Sequence, residues 1–519
     1  MSTNSRSQHR FRLTPPSALD PQVRTGRRWA FACLATFAVI MWFGLTPHEV
    51  GTSWRECDTM AISRNFLIDG FNPLRPRVDW RGDTDGAVEC EFPLYQLMIA
   101  TTMAVFGEVE WPARLLALLS ILAASLSLHR LLEWRSGPGP ALLGMLLFLS
   151  GAQAILLGGR VQPDALSVAL VLAGLVTYLR YLATGSATAL WLAVTAATFG
   201  VLQKATSLQL VGLMGLWTII LAPRRLREPR LWLGFAICIG VLAAWLRHGM
   251  NLYDETGLTF GVMSGGETKW PEIAQLANHR VWRNLIETTV RIGFSPLGCI
   301  AMLALLVRWR LDRADWALLL IVGAALVGSL RYSYDDGAGA HYHVFAAIAG
   351  AFFAARAWPQ RAPWWLWTLA LVAMAFSGSH WFLNERNKIE RNTQSGTLVL
   401  AAHIQDQFAP EDLAIVRGHR RGFDAFWNRR TNYEQPGLLY QARRRGWVLP
   451  RDGFTIDKLQ DLRSRGARFV VNPFANVTNP EVLAWLDSKG ERVINFGHTV
   501  VHRLAKPLLI KPPLGDETK

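Results

Sequence analysis

Two acids, Glu56 and Asp58, flank Cys57 at the start of a polar stretch, 54–95, that reads WRECDTMAISRNFLIDGFNPLRPRVDWRGDTDGAVECEFPLY. A carboxylate beside an acceptor hydroxyl can take its proton and stabilise the electron-poor centre of a sugar transfer. A helix N-cap accounts for Asp58 equally well, because the helical run MAISRNFL follows it. Glu91 opens the segment Phe92-Pro93-Leu94-Tyr95, where Pro suits a first helical turn and an acid suits the helix dipole. As a functional group Glu91 is a candidate ligand for a divalent metal ion, or an orienter of an acceptor.

Three more charged side chains stand at the ends of apolar runs, where ionisable groups are costly. Arg160 and Asp164 lie at the mouth of the run 162–182. An arginine can grip phosphate with two parallel hydrogen bonds, and a local Arg160–Asp164 ion pair one turn apart is the plain alternative. Lys204 is stranded between two apolar runs and offers a point charge to phosphate. Snorkelling is its plain alternative. His341 and His343 form an HxH, which does not put both rings on one helix face. Cys57 and Cys90 each neighbour a candidate acid. A disulfide between them would bring Asp58 and Glu91 to one site, and two thiols fit the sequence equally.

These residues need a scaffold, and the composition says which kind. The chain has 519 residues, 51% hydrophobic and only 18% charged. That is too apolar for an ordinary soluble enzyme. Its apolar runs are long enough to span a bilayer as helices. The net charge of +15 sits largely in short loops between those runs, which is a topology signal rather than a nucleic-acid footprint. No Walker loop, CxxC, HExxH or nucleotide-binding GxGxxG stands in a convincing setting.

The apolar runs are 29–46, 112–132, 138–158, 162–182, 187–203, 206–222, 231–249, 289–307, 314–331, 341–358 and 363–382. A further run, 92–107, is short for a span. If it only dips into the interface, every strongly basic connection falls on the inner side, as the positive-inside rule asks. The expected fold is a polytopic α-helical membrane protein with about eleven spans plus one re-entrant or interfacial helix. Residues 1–28 form a basic cytoplasmic tail, 29–383 the transmembrane domain with the external loop 47–91, and 384–519 a small external α/β domain. Within that last segment, strand-like runs at 413–416, 446–449, 467–472, 492–496 and 499–504 alternate with helical runs at 455–465 and 480–488.

The ordered motifs WRECDTMAISRNF, ECEFPLYQLMIATTMAVFG, PARLLALLS, RVQPDALSVAL and QKATSLQL resemble the bacterial polytopic GT-C glycosyltransferases. These include the Rgt-type and protein-O-mannosyltransferase-like enzymes (family 39/83-like) and the lipid A aminoarabinose transferases. The resemblance covers roughly residues 29–210. It implies inverting transfer of a sugar from a polyprenyl-phosphate donor to a lipid, glycan or protein acceptor at the external face of the cytoplasmic membrane. By position, Asp58 resembles the first-loop catalytic acid, and Glu91 the acid implicated in metal or phosphate binding. Asp164, with Arg160 before it, resembles the acid of the second outer loop, and Lys204 a donor-phosphate lysine. Many relatives carry adjacent Asp-Glu in the first loop. An ungapped alignment puts Arg55-Glu56 there, so Asp58 and Glu56 both stand as the base. All these groups are expected to converge in one water-facing pocket at the outer leaflet. The rival reading is a transporter or lipid-linked sugar flippase, which the absence of repeated halves disfavours.

Overall fold

The computed structural model describes residues 17, 20–45, 53–264, 273–330, 333, 340–393, 396–424, 429–430 and 434–505. Arg6, Arg10, Arg12, Glu267, Lys269, Glu272 and the stretch 334–339 lie outside the described residues. The chain divides into two compact units. One holds Met1–Val50, Cys90–Asn251 and Thr268–Arg391, and the other Gly51–Glu89, Leu252–Glu267 and Asn392–Lys519.

The first unit is helical. All eleven apolar runs form helix, but of unequal length. Among the described residues, seven helices are long and apolar enough to cross a bilayer, and a bent pair makes an eighth. The bent pair is Pro138–Leu149 and Ala152–Gly159, which turn by 59° at Ser150-Gly151. The runs 187–203, 206–222 and 341–358 give the shorter helices Ala187–Gln203, Leu208–Leu221 and Val344–Ala357. Run 92–107 forms Leu94–Phe106, whose 13 residues rise about 20 Å, short of a hydrocarbon core of about 30 Å.

Burial separates the inner helices from the outer ones. Every residue from Val344 to Ala355 is buried, so this helix runs through the centre of the unit. Its small residues permit close approach. A Cβ on Gly350 would stand 2.3 Å from the carbonyl oxygen of Phe294, so the two backbones touch there. Helices Pro21–Leu45 and Trp364–Thr393 instead expose Phe31, Phe43, Val372 and Phe376, as lipid-facing helices do.

Charge closes one end of this unit. Arg135 reaches Asp312 at 2.7 Å and Asp315 at 2.9 Å, Arg356 lies 3.7 Å from Asp315, and Gln360 donates to the Ser136 carbonyl at 2.6 Å. The basic connections near 129–137, 308–313 and 356–361 therefore meet. Helix Trp111–Ser136 runs 26 residues from that end to the other, where Arg114 donates to the Gly159 carbonyl at 2.7 Å.

The second unit is built on a five-stranded sheet. Its strands are β1 (Leu413–Arg417), β4 (Gly446–Leu449), β5 (Ala467–Asn472), β6 (Gly490–Phe496) and β7 (Thr499–Leu504), with a two-stranded ribbon of β2 (Phe423–Asp424) and β3 (Arg429–Arg430). The order is β4-β1-β5-β7-β6; β1 pairs in parallel with β4 and β5, and β7 antiparallel with β5 and β6. Helices Ile456–Ser464 and Pro480–Lys489 bury Leu459, Leu462, Val482 and Leu486 against Ile415 and Val470.

The acidic loop belongs to this unit. Its helix Trp54–Ile68 bears Arg64, which donates to the Tyr440 carbonyl at 3.1 Å and stacks on that ring at 5.1 Å. The Asp79 carbonyl accepts from Gly446 N–H at 3.1 Å, and Gly82 N–H donates back to the Gly446 carbonyl at 2.7 Å. The loop thus continues the open edge of the sheet at β4, which removes an exposed edge. Gly82 has φ +58°, and a Cβ there would strike the Trp447 indole at 2.1 Å.

Candidate active site

In the helical unit, a backbone junction assembles the charged cluster. Helix Ala187–Gln203 ends as Lys204 turns extended, and the 3-10 turn Ala205–Ser207 leads into the next helix. Phe92 N–H donates to the Leu202 carbonyl at 3.0 Å. The Gln203 amide accepts from Tyr95 N–H at 3.1 Å and donates to the Phe92 carbonyl at 2.6 Å. This clamp satisfies free backbone groups at the start of helix Leu94–Phe106. It also fixes Glu91 opposite Lys204.

Lys204 Nζ lies 3.3 Å from Glu91 Oε1 and 3.6 Å from Asp164 Oδ1. The Tyr342 ring faces the ammonium with its centroid 5.6 Å away. Asp164, Ser167, Lys204, Ser207, His341 and Tyr342 line a small pocket. Ser167 and Ser207 share a 2.7 Å hydrogen bond on its wall. Three sequence candidates, Glu91, Asp164 and Lys204, are therefore neighbours although 113 residues separate Glu91 from Lys204.

Arg160 takes a different partner from the local one. It forks onto Glu385, with Nη2–Oε2 at 3.0 Å and a second bond from Nε to Oε1. Asp164 reaches Lys204. The residue sequence reasoning missed is Glu385, a buried acid on Trp364–Thr393. Its signal was an acid just beyond the last apolar run.

Glu91 as a metal ligand fits poorly. Its carboxylate lies 3.3 Å from Lys204 Nζ, which offers no metal ligand beside it. Among the described residues, no group of three or more His, Cys, Asp or Glu side chains is arranged to hold a metal ion. His343 is buried, with Nδ1 3.3 Å from Thr289 Oγ1, while His341 reaches the pocket, so the HxH does split between faces.

In the sheet unit, Asp58 does not cap a helix. Ser53 is the N-cap of Trp54–Ile68, and Asp58 lies inside it, fully buried. Trp80 donates its indole N–H to Asp58 Oδ1 at 2.9 Å, and Oδ2 has no hydrogen-bond partner among the described residues. Burial pushes this carboxyl up to about 8, against the pull of the Trp80 bond and the Arg55 charge. A proton-transfer group with a pKa near neutrality is well matched to general-base work. Its neighbour Asp79 is held by Arg64 at 2.5 Å and Asn65 at 3.0 Å. Glu56 is also buried, in the first turn where the dipole favours an acid.

Glu89 is a second group missing from the sequence reading. Its buried carboxylate accepts Met263 N–H at 2.7 Å and Ser264 N–H at 3.0 Å, together with the Thr259 hydroxyl. This latch holds Phe260, whose ring lies 6.1 Å from both Trp54 and Trp80. Cys57 and Cys90, the candidate disulfide, both stand as buried thiols; Cys90 Sγ lies 3.2 Å from the Glu91 carbonyl.

The fold is similar to that of GT-C glycosyltransferases of known structure. The aminoarabinose transferase ArnT of Cupriavidus metallidurans shares it. Its structure bound to undecaprenyl phosphate matches with a TM-score of 0.60 at 14% identity, covering 92% of this chain and 98% of that one. The apo structure of the same protein gives 0.61, with the same identity and coverage. The profile of the dolichyl-phosphate-mannose-protein mannosyltransferase family matches residues 91–248, a span that includes Glu91, Arg160, Asp164 and Lys204. No curated protein matches the chain in sequence.

Proposed function

We propose that this chain is a membrane glycosyltransferase that moves a hexosyl or pentosyl group from a polyprenyl-phosphate donor to an acceptor hydroxyl. The transfer takes place at the external face of the cytoplasmic membrane and inverts the anomeric carbon. The observation that carries this reading is the Lys204 ammonium held between Glu91 and Asp164 at an open pocket. A preorganised cation beside a developing phosphate charge lowers the barrier to its departure. The ArnT structure with undecaprenyl phosphate supports the donor class.

In this reading Lys204 receives the donor phosphate, Asp164 and Glu91 fix its position, and Arg160 adds charge at the same mouth. The acceptor oxygen attacks the anomeric carbon as the bond to the phosphate oxygen breaks. The proton goes to Asp58, with Glu56 as the second candidate, and polyprenyl phosphate leaves.

The test is transfer itself. Purified chain in nanodiscs is given a labelled polyprenyl-phosphate sugar and a membrane extract as acceptor source. Label should move to a new product while polyprenyl phosphate is released. Label that crosses the bilayer but never leaves its lipid would identify a flippase instead.

A further inference from the structure

We infer that the carboxyl edge of the parallel sheet, at Arg417, His419, Arg420 and Arg451, is a binding site for a phosphate group. The topology comes first. β4 and β5 flank β1 on opposite sides, so strand order reverses about β1. In open sheets with parallel strands, ligands bind outside the carboxyl ends at such a reversal. At that edge β1 ends in Arg417 and runs on through Gly418-His419-Arg420, β4 runs into Pro450-Arg451, and β5 ends in Asn472.

The side chains there are mostly cations, with the single carboxylate of Asp452 beside them among the described residues. Arg417 is 4% exposed, donates to the Phe474 carbonyl at 3.1 Å, and lies between the Phe454 and Phe474 rings at 5.6 and 5.8 Å. Its Nε is buried, with no hydrogen-bond partner among the described residues. Among the described residues, none of Arg417, Arg420 and Arg451 forms an ion pair, and Asp452 Oδ1 accepts from Gly422 N–H at 2.8 Å. Arg451 N–H donates to the Arg420 carbonyl at 2.7 Å, which ties the two loops together. His419 packs on Phe474 at 6.4 Å. Burial and the Arg451 charge both push the Arg417 guanidinium below its ordinary pKa. A buried guanidinium beside like charges is costly unless an anion completes the site. Guanidinium forks match phosphate oxygens in geometry and charge. The phosphate can belong to a free ligand or to a lipid headgroup.

The full chain is placed in phosphatidylcholine nanodiscs, and phenylglyoxal modification of Arg420 and Arg451 is followed by peptide mass spectrometry. Arg503, exposed on β7, is the reference. In one arm inorganic phosphate replaces chloride at constant ionic strength. In the other, phosphate is omitted and the discs carry phosphatidylglycerol. Saturable, about tenfold slower modification at Arg420 and Arg451 in the first arm assigns a free phosphate ligand. Slowing in the second arm alone assigns a lipid headgroup. Arg451→Gln, at an exposed position, should abolish the protection of Arg420. No slowing in either arm, equal slowing at Arg503, or Arg420 protection that survives Arg451→Gln would overturn the inference.

Discussion

Trp80 bonds one oxygen of Asp58 at 2.9 Å and, among the described residues, nothing bonds the other. A substrate hydroxyl placed against that second oxygen would be held firmly, because the low dielectric that raises the pKa also strengthens such a bond.

The pH dependence follows from that shift. With Asp58 at about 8 in the fold and near 4 in the unfolded chain, the unfolded state ionises first as pH rises. Its stabilising contribution is complete below about 4 and is lost progressively up to about 8. Asp58→Asn should flatten the slope of melting temperature over that window. Transfer should climb with pH and level off above about 8, because the base works deprotonated. Asp58→Asn should lower the rate by about 10²–10⁴ with donor binding intact. Unchanged transfer in this variant, with loss in Glu56→Gln, would move the base to Glu56.

Lys204→Met removes the cation between Glu91 and Asp164. Affinity for polyprenyl phosphate should fall by about ten- to a hundredfold, the size of one or two charge-assisted bonds. Adding Glu91→Gln should recover part of the folding stability by removing one of the two carboxylate charges that Lys204 faced, but not affinity. Titration of the lipid into each variant, with a parallel melting curve, separates the two effects.

Gln203→Leu keeps the volume of the clamp and deletes both hydrogen bonds. The Tyr95 N–H then loses the Gln203 acceptor, and the Phe92 carbonyl keeps the Leu94 N–H at 2.9 Å. Each hydrogen bond lost contributes about 0.5–1.5 kcal/mol, so a drop in melting temperature is expected. A melting temperature within error of wild type would show that water replaces the amide.

Glu89→Ala leaves the Met263 and Ser264 amides without their acceptor. Hydrogen exchange at 259–264 should accelerate by at least about tenfold, since bonds to a charged group contribute about 1.5–3 kcal/mol each. Exchange in β5 should stay as it was. Acceleration throughout the sheet unit would mean that Glu89 supports the whole unit rather than this segment.

Much of the scaffold was legible because it is periodic. The runs 446–449, 467–472 and 499–504 are strands with those same limits, and 413–416 and 492–496 differ only at their ends. The apolar runs are helices because hydropathy over a long window reports burial in lipid or core. The 59° break inside 138–158 was hidden, since Ser150-Gly151 sits in an unbroken apolar run. Long-range pairings were also hidden. Arg160 meets Glu385 across 225 residues, so local spacing suggested Asp164 instead. Asp58 looked like a cap because the helix begins at Trp54, six residues before the run that opens at Met60. Glu89 sits in a run of small apolar residues that gives no hint of the amides it accepts. The separate placement of the acidic loop and the C-terminal segment followed chain order, whereas the β4 edge joins them into one unit.

The central claim is that Lys204 receives the donor phosphate. A cryo-electron microscopy map of the full chain with polyprenyl phosphate in nanodiscs tests it directly. The account predicts phosphate density within hydrogen-bonding distance of Lys204 Nζ, in the pocket lined by Asp164, Ser207 and Tyr342. Lipid phosphate seated elsewhere, with Lys204 still bridging Glu91 and Asp164, would contradict it.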